Sequence, residues 1–165
     1  MNMQNAEYYM KLALAEAQLA AEEDEVPVGA VIVKDGEVIA RAHNQREQLQ
    51  MPYAHAEMMA IQLACKKLGT WCLQDCDLYV TLEPCMMCTG LIQQARINRL
   101  FYGTQDPKGG TVDTLVQIKL INHLNTYPRQ IYKDILHDEC AEVLSSFFRH
   151  KRQLQKEEKA RQNKD

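Results

Sequence analysis

Two short runs in this 165-residue chain bring together residue types that can do chemistry: His55-Ala56-Glu57 and Pro84-Cys85-Met86-Met87-Cys88. Thiolate and imidazole are ligands that zinc favours, and the set His55, Cys85 and Cys88 leaves the fourth tetrahedral position free for water. Water held that way has its pKa lowered to roughly 7, which makes it a nucleophile at neutral pH. Glu57 is then a non-ligand able to take the water's proton and hand it to a ring nitrogen and a departing amine. The chemistry implied is hydrolytic: an amino-substituted ring carbon becomes a carbonyl, and ammonia leaves.

Spacing constrains where these residues sit. Cys85 and Cys88 are three apart, about 60° around a helix, so both sulfurs reach one ion from a first turn. His55 and Glu57 are two apart, about 200° around, and converge only where a helix begins, with one residue still in the incoming chain. Both runs therefore predict a zinc between two helix N-termini, whose positive dipole ends lower thiolate pKa values.

The elements needed to build such a site are legible around it. Residues 5–22 lack Gly and Pro and set Tyr8, Leu12, Ala15 and Leu19 at helical spacing. Strands are predicted over 28–33 and 37–42, joined by the hairpin pair Asp35-Gly36. A helix over 54–68 stops at Gly69. Residues 77–82 read as a strand, 85–95 as a helix preset by Pro84, and 98–102 as a strand, which together make a parallel crossover unit. Residues 111–128 are ambiguous, 130–133 are a short strand, and 138 to about 159 are helical, with Cys140, Leu144 and Phe147 or Phe148 on one side. The expectation is one domain over residues 1–165: an α/β, three-layer α/β/α fold with a central mixed sheet of about five strands and a basic C-terminal helix from about 138 to 162.

Composition fits that class. Apolar and charged fractions of 46% and 25% lie near globular averages. No apolar run approaches membrane-spanning length, and the first residues carry no basic region followed by an apolar stretch, so a cytoplasmic, reducing setting is expected. Six cysteines in such a compartment are metal ligands, catalytic thiols or core residues before they are disulfides. Cys72 and Cys76, beside Trp71, offer a competing four-thiolate site with Cys85 and Cys88, but that site would leave His55 and Glu57 without roles. Cys65 and Cys140 read as core, and His43, His123, His137 and His150 lack ligand-spaced partners. From Arg149 onward seven bases face three acids, whereas the preceding residues hold 12 bases and 19 acids. A basic end on an acidic body suits a polyanion, although it also suits the negative pole of a solvated helix.

His-x-Glu followed by Pro-Cys-x-x-Cys is the signature of the zinc deaminases. Beyond it, the chain resembles the bacterial tRNA-specific adenosine deaminases, the TadA type, of the cytidine deaminase-like superfamily. The likeness runs through the N-terminal helix, Pro27-Val28-Gly29-Ala30-Val31, Asn44, residues 54–60 and 80–92, Tyr102-Gly103 with Asp106 and Lys108, and Glu139-Cys140 through Phe147-Phe148-Arg149. The run Thr81-Leu82-Glu83-Pro84-Cys85-Met86-Met87-Cys88-Thr89-Gly90 is highly specific for that family.

The resemblance implies conversion of adenosine to inosine at the wobble position of a tRNA anticodon, an arginine tRNA, by a homodimer with one zinc ion per subunit. Asn44 would hydrogen-bond the flipped base and Val28 would wall its pocket. Asp106 and Lys108 would touch the neighbouring nucleotides, and Phe147, Phe148, Arg149 and Arg152 would meet the anticodon stem-loop, where phosphate contacts supply affinity. Asn44 also reads as a turn residue, Phe147 and Phe148 as core, and Asp106-Pro107 as turn chemistry. The chain departs from the family at Met51-Pro52-Tyr53, at Lys133-Asp134 in place of a usual glycine, and around Asn122-His123 and Asn125-Thr126. Two other functions compete: a deaminase of guanine or another small nucleobase, and a non-catalytic, zinc-stabilised RNA-binding module.

Overall fold

A computed structural model describes residues 3–113 and 127–162. The elements run α1 (Met3–Glu22), β1 (Gly29–Lys34), β2 (Glu37–His43), α2 (Arg46–Leu49), α3 (Ala56–Leu68), β3 (Cys76–Leu82), α4 (Met86–Gln94), β4 (Arg99–Thr104), β5 (Gln130–Tyr132) and α5 (His137–Gln162). The strands form one sheet in the order β2-β1-β3-β4-β5. β1 pairs antiparallel with β2 and β3, whereas β3-β4 and β4-β5 are parallel. Asp35 and Gly36 take φ of 50° and 80°, the left-handed pair a tight hairpin needs. Gly69 ends α3 at φ 66°. The residues of the ambiguous stretch from 114 to 126, including His123, Asn122 and Asn125-Thr126, lie outside the described residues.

Strand alternation sorts the core into two layers. Ala30, Ile32, Leu78, Val80, Leu100 and Tyr102 face α3 and α4, packing with Ala60, Ala64 and Ile92. Val31, Val33, Tyr79 and Phe101 point to the other side, against Ala6, Met10 and Ala13 of α1 and Cys140 of α5. The three-layer α/β/α arrangement with a mixed five-stranded sheet is the expected one. Tyr79, Phe101 and Tyr132 stack across β3, β4 and β5 on that second face, with ring centroids 4.3 and 4.7 Å apart.

The helix over 5–22 forms, but its buried face is not the one its larger side chains mark. Tyr8 and Leu19 are 58% and 45% exposed, while Ala6, Met10, Ala13, Ala17 and Ala20 are buried. The small residues win because α1 lies directly on β1: a Cβ at Gly29 would stand 1.9 Å from the Ala13 carbonyl oxygen and 2.5 Å from the Ala17 nitrogen. Backbone cannot yield there as a flexible side chain would. Gly29→Ala is therefore expected to destabilise the fold by about 3 kcal/mol or more. A urea melt checks this, and a midpoint equal to the parent's would contradict it.

His43, at the end of β2, ties this layer to the site. Its Nδ1 lies 2.9 Å from Glu16 Oε2 and its Nε2 3.1 Å from Glu23 Oε2. Burial lowers the imidazole pKa, but the two carboxylates outweigh it, and the net shift is upward from 6.5. A raised folded pKa means that this stabilisation is complete below the unfolded value of 6.5 and is lost as pH rises through the higher folded value. The difference in Tm between the parent and His43→Gln should accordingly be larger at pH 6 than at pH 9. A difference that does not narrow would contradict the pairing.

Candidate active site at two helix N-termini

α3 and α4 both start at a residue that could hold a metal. His55 caps α3 with extended backbone (φ −79°, ψ 154°), and Cys85 caps α4 likewise (φ −72°, ψ 173°). The N-terminal end of each helix thus faces the site, with Cys88 and Glu57 in the first turns. The entrance geometry required by the His55–Glu57 spacing is the geometry observed. Both helices start slightly later than expected: α3 at Ala56 and not at 54, and α4 at Met86, so that Cys85 precedes it.

His55 Nδ1 lies 3.7 Å from Cys85 Sγ and 3.7 Å from Cys88 Sγ, and all three donor atoms fall within 4.8 Å of one another. Bonds of about 2.3 Å to sulfur and about 2.0 Å to nitrogen at tetrahedral angles put donors roughly 3.6 Å apart, so this donor set fits zinc. Among the described residues no other group of His, Cys, Asp and Glu converges in this way. The four-thiolate alternative fails on topology. Cys76 opens β3 and Cys85 follows its far end, about 20 Å or more away along a strand.

The electrostatics mark the same residues. Cys85 is pulled down to about 4, chiefly by the Cys88 thiol that donates to it and then by His55. Cys88 is pushed up by that same sharing and by burial. His55 is raised by its hydrogen bond with Cys85. Glu57, 4% exposed, is lifted by burial to about 7. A carboxyl group titrating there can both accept and donate a proton near neutrality.

A cleft of about 160 Å³ opens onto His55, Glu57 and Cys85, with Cys88 buried behind them, and Val28, Asn44 and Asp106 are among its other walls. Asn44 is buried, and its Nδ2 donates to Glu25 Oε2 (3.3 Å) and to the Val26 carbonyl (3.2 Å), while its Oδ1 accepts from the Arg46 N–H (3.3 Å). Lys108 does not line the cleft. It is exposed, and its N–H donates to Asp106 Oδ1 at 3.0 Å. Phe147, Phe148, Arg149 and Arg152 also lie outside the cleft, on α5. Phe147 is half-buried, Phe148 is 43% exposed, and their rings meet edge to face at 5.4 Å, so Phe148 is not a core residue. Arg149 pairs with Glu142. Lys151 pairs with Asp24, which anchors α5 beside the Glu25-Val26 segment at the cleft. Arg46 and Glu83 also line the cleft, and neither was assigned a role from the sequence, although Glu83 falls within the family-specific run from Thr81 to Gly90. Otherwise their signal was adjacency: Arg46 is two residues after Asn44, and Glu83 directly precedes Pro84.

Of the departures, Asp134 occupies φ 63°, the left-handed region where glycine is least costly and Asp is among the tolerated residues. Lys133 pairs with Asp113 at 3.3 Å. Met51 and Tyr53 are exposed, at 40% and 49%.

Residues 4–152 match the MafB19-like deaminase family, so the chain carries a deaminase domain. The chain is 47% identical over 154 residues to the tRNA-specific adenosine deaminase of Bacillus subtilis (strain 168), covering 93% of this chain and 95% of that one. A solved structure from a study of A-to-I editing by tRNA:A34 deaminases at the wobble position of transfer RNA is 49% identical, with a TM-score of 0.78, covering 83% of this chain and 99% of its own. A guanine deaminase from Bacillus subtilis superposes less completely: 42% identity, TM-score 0.58, 64% of this chain and 66% of its own. The chain belongs to the tRNA-specific adenosine deaminase family.

Proposed function

We propose that this protein hydrolyses adenosine to inosine in tRNA, at the wobble position of an arginine tRNA anticodon. One observation carries the proposal: three zinc-type donor atoms converge where His55, Cys85 and the buried carboxyl group of Glu57 line a cleft, in a chain whose relatives over nearly its whole length are tRNA adenosine deaminases.

His55, Cys85 and Cys88 would hold one zinc ion per subunit. Bound there, zinc supplies the Lewis acidity that makes water a competent nucleophile near neutral pH. Glu57 takes a proton from the attacking water and delivers it to the ring nitrogen beside C6. It then takes the proton of the new C6 hydroxyl and gives it to the amine as the C–N bond breaks, so that adenosine and water give inosine and ammonia. Asn44, held on both ends of its amide, and Val28 fix the base, which must be turned out of its stack to enter. Asp106, with Lys108 next to it, faces the adjacent nucleotides. Phe147, Phe148, Arg149 and Arg152 extend the contact along α5, with stacking rings and cations suited to an unpaired loop. A homodimer and a cytoplasmic location accord with that substrate. Among the described residues, no helix is long and apolar enough to cross a membrane.

The test is to incubate the protein with an anticodon stem-loop bearing a wobble adenosine and, separately, with free guanine and with cytidine. Inosine should form in the stem-loop. Deamination of guanine alone would overturn the proposal in favour of the small-molecule reading.

A further inference from the structure

Glu83 is a buried carboxylate, 7% exposed, that lines the cleft and has no part in the chemistry above. Its two oxygens do separate jobs. Oε2 accepts the backbone N–H of Asp106 at 3.1 Å, and Oε1 accepts the backbone N–H of Asp113 at 3.3 Å. The loop between those two residues closes round the carboxylate, since a Cβ at Gly110 would stand 2.2 Å from Oε2 and 2.7 Å from the Asp106 carbonyl oxygen. Further bonds continue the same seam: Thr111 N–H to the Pro84 carbonyl (3.1 Å), Gly110 N–H to the Asp106 carbonyl (3.0 Å), and a bridge pairing Cys85 with Gly110.

We infer that Glu83 is a positioning residue for substrate: it fixes the 106–113 loop, and Asp106 with it, to the segment that carries Cys85. The physical reasoning is direct. A carboxylate is acceptor-only, so it suits two converging backbone N–H groups better than any neutral side chain of its size. It sits two residues before Cys85, so loop and cysteine segment are held in one register. Gly110 is required because any side chain there would occupy the carboxylate's place. The Glu83 oxygens bond the backbone of Asp106 and Asp113, not His55, Glu57 or the cysteines, so Glu83 acts through Asp106. The inference rests on the reading of the cleft as the nucleotide site.

Glu83→Gln is the test, because it keeps the shape while setting an NH2 group against one of the two backbone donors. Amide hydrogen exchange at Asp106 and Asp113 should quicken at least tenfold. KM for the wobble-adenosine stem-loop should rise about tenfold, with kcat within threefold of the parent and metal content unchanged. Gly110→Ala, which crowds the carboxylate from the loop side, should reproduce the KM effect. Loss of metal, or a fall in kcat at unchanged KM, would show that Glu83 serves the cysteine segment instead and would overturn the inference. So would parental exchange rates in Glu83→Gln. Should neither variant fold, the parent decides: Asp106 and Asp113 amides that exchange as fast as unstructured ones overturn the inference, and protected ones uphold it. The exchange readout needs no turnover, so a parent that fails to deaminate the stem-loop while keeping those amides protected refutes the substrate reading and not the strut.

Discussion

Glu57→Gln should fold and retain its metal while losing turnover by about 10²-fold to 10⁴-fold, the range that positioned acid–base groups contribute. The carboxamide matches the carboxyl in size but cannot take a proton from water. Stability should not suffer, because the replaced group is a buried acid that burial holds up at about 7, and a neutral side chain in that place avoids the cost of burying charge. Single-turnover kinetics on the stem-loop, run beside metal analysis of the same preparation, separates chemistry from metal binding. If the variant turned over within threefold of the parent, the proton shuttle would have to be another group. The parent's own turnover decides the non-catalytic alternative, since an RNA-binding module would make no inosine with or without Glu57.

The second large effect concerns the donor set. Cys85→Ser, Cys88→Ser and His55→Ala should each lower metal content well below one ion per chain and cut turnover by roughly 10³-fold or more. Partners one step removed from a metal already cost 10-fold to 100-fold, so a direct ligand should cost more. The fold should survive, because the two apolar layers on either side of the sheet are built mainly from residues away from the donors. Circular dichroism should therefore remain that of the parent while elemental analysis shows the loss. Cys72→Ser should change neither, as Cys72 lies outside the converging group. A Cys88→Ser protein with a full metal complement and parental turnover would contradict the assignment.

The sequence disclosed the site unusually well because its constraints are local. Two residues 200° apart on a helix, both needed at one ion, place His55 at a helix entrance without any knowledge of tertiary structure. Pro84 and Gly69 mark helix ends for similarly local reasons, as does Asp35-Gly36 for the hairpin. Failures came where distant packing decides. The buried stripe of α1 follows Ala13 and Ala17 because Gly29 of β1 presses against them, and nothing within residues 5–22 shows that. Arg46 and Glu83 reach the cleft because β1 pairs with both β2 and β3 and so puts their C-terminal ends at the same end of the sheet, on either side of its own start. Lys133-Asp134 departs from the family's usual glycine, yet Asp134 occupies a left-handed position that a short polar residue accepts.

The roles given to α5 show the same limit from the other side. The aromatic pair and the bases were visible as a pattern, but periodicity could not say whether Phe148 is covered. Its 43% exposure leaves its ring available for stacking. The Lys151–Asp24 pair then brings α5 alongside the Glu25-Val26 segment next to Asn44.

The most direct test of the whole account is deamination of a wobble-adenosine stem-loop in ¹⁸O-labelled water, with nucleosides and ammonia quantified from the same reaction. Inosine is expected at the wobble position carrying one labelled oxygen, with ammonia released one for one, and Glu57→Gln should form about a hundredth of that product or less over the same interval. Intact adenosine in the stem-loop, with free guanine deaminated by the same preparation, would contradict it.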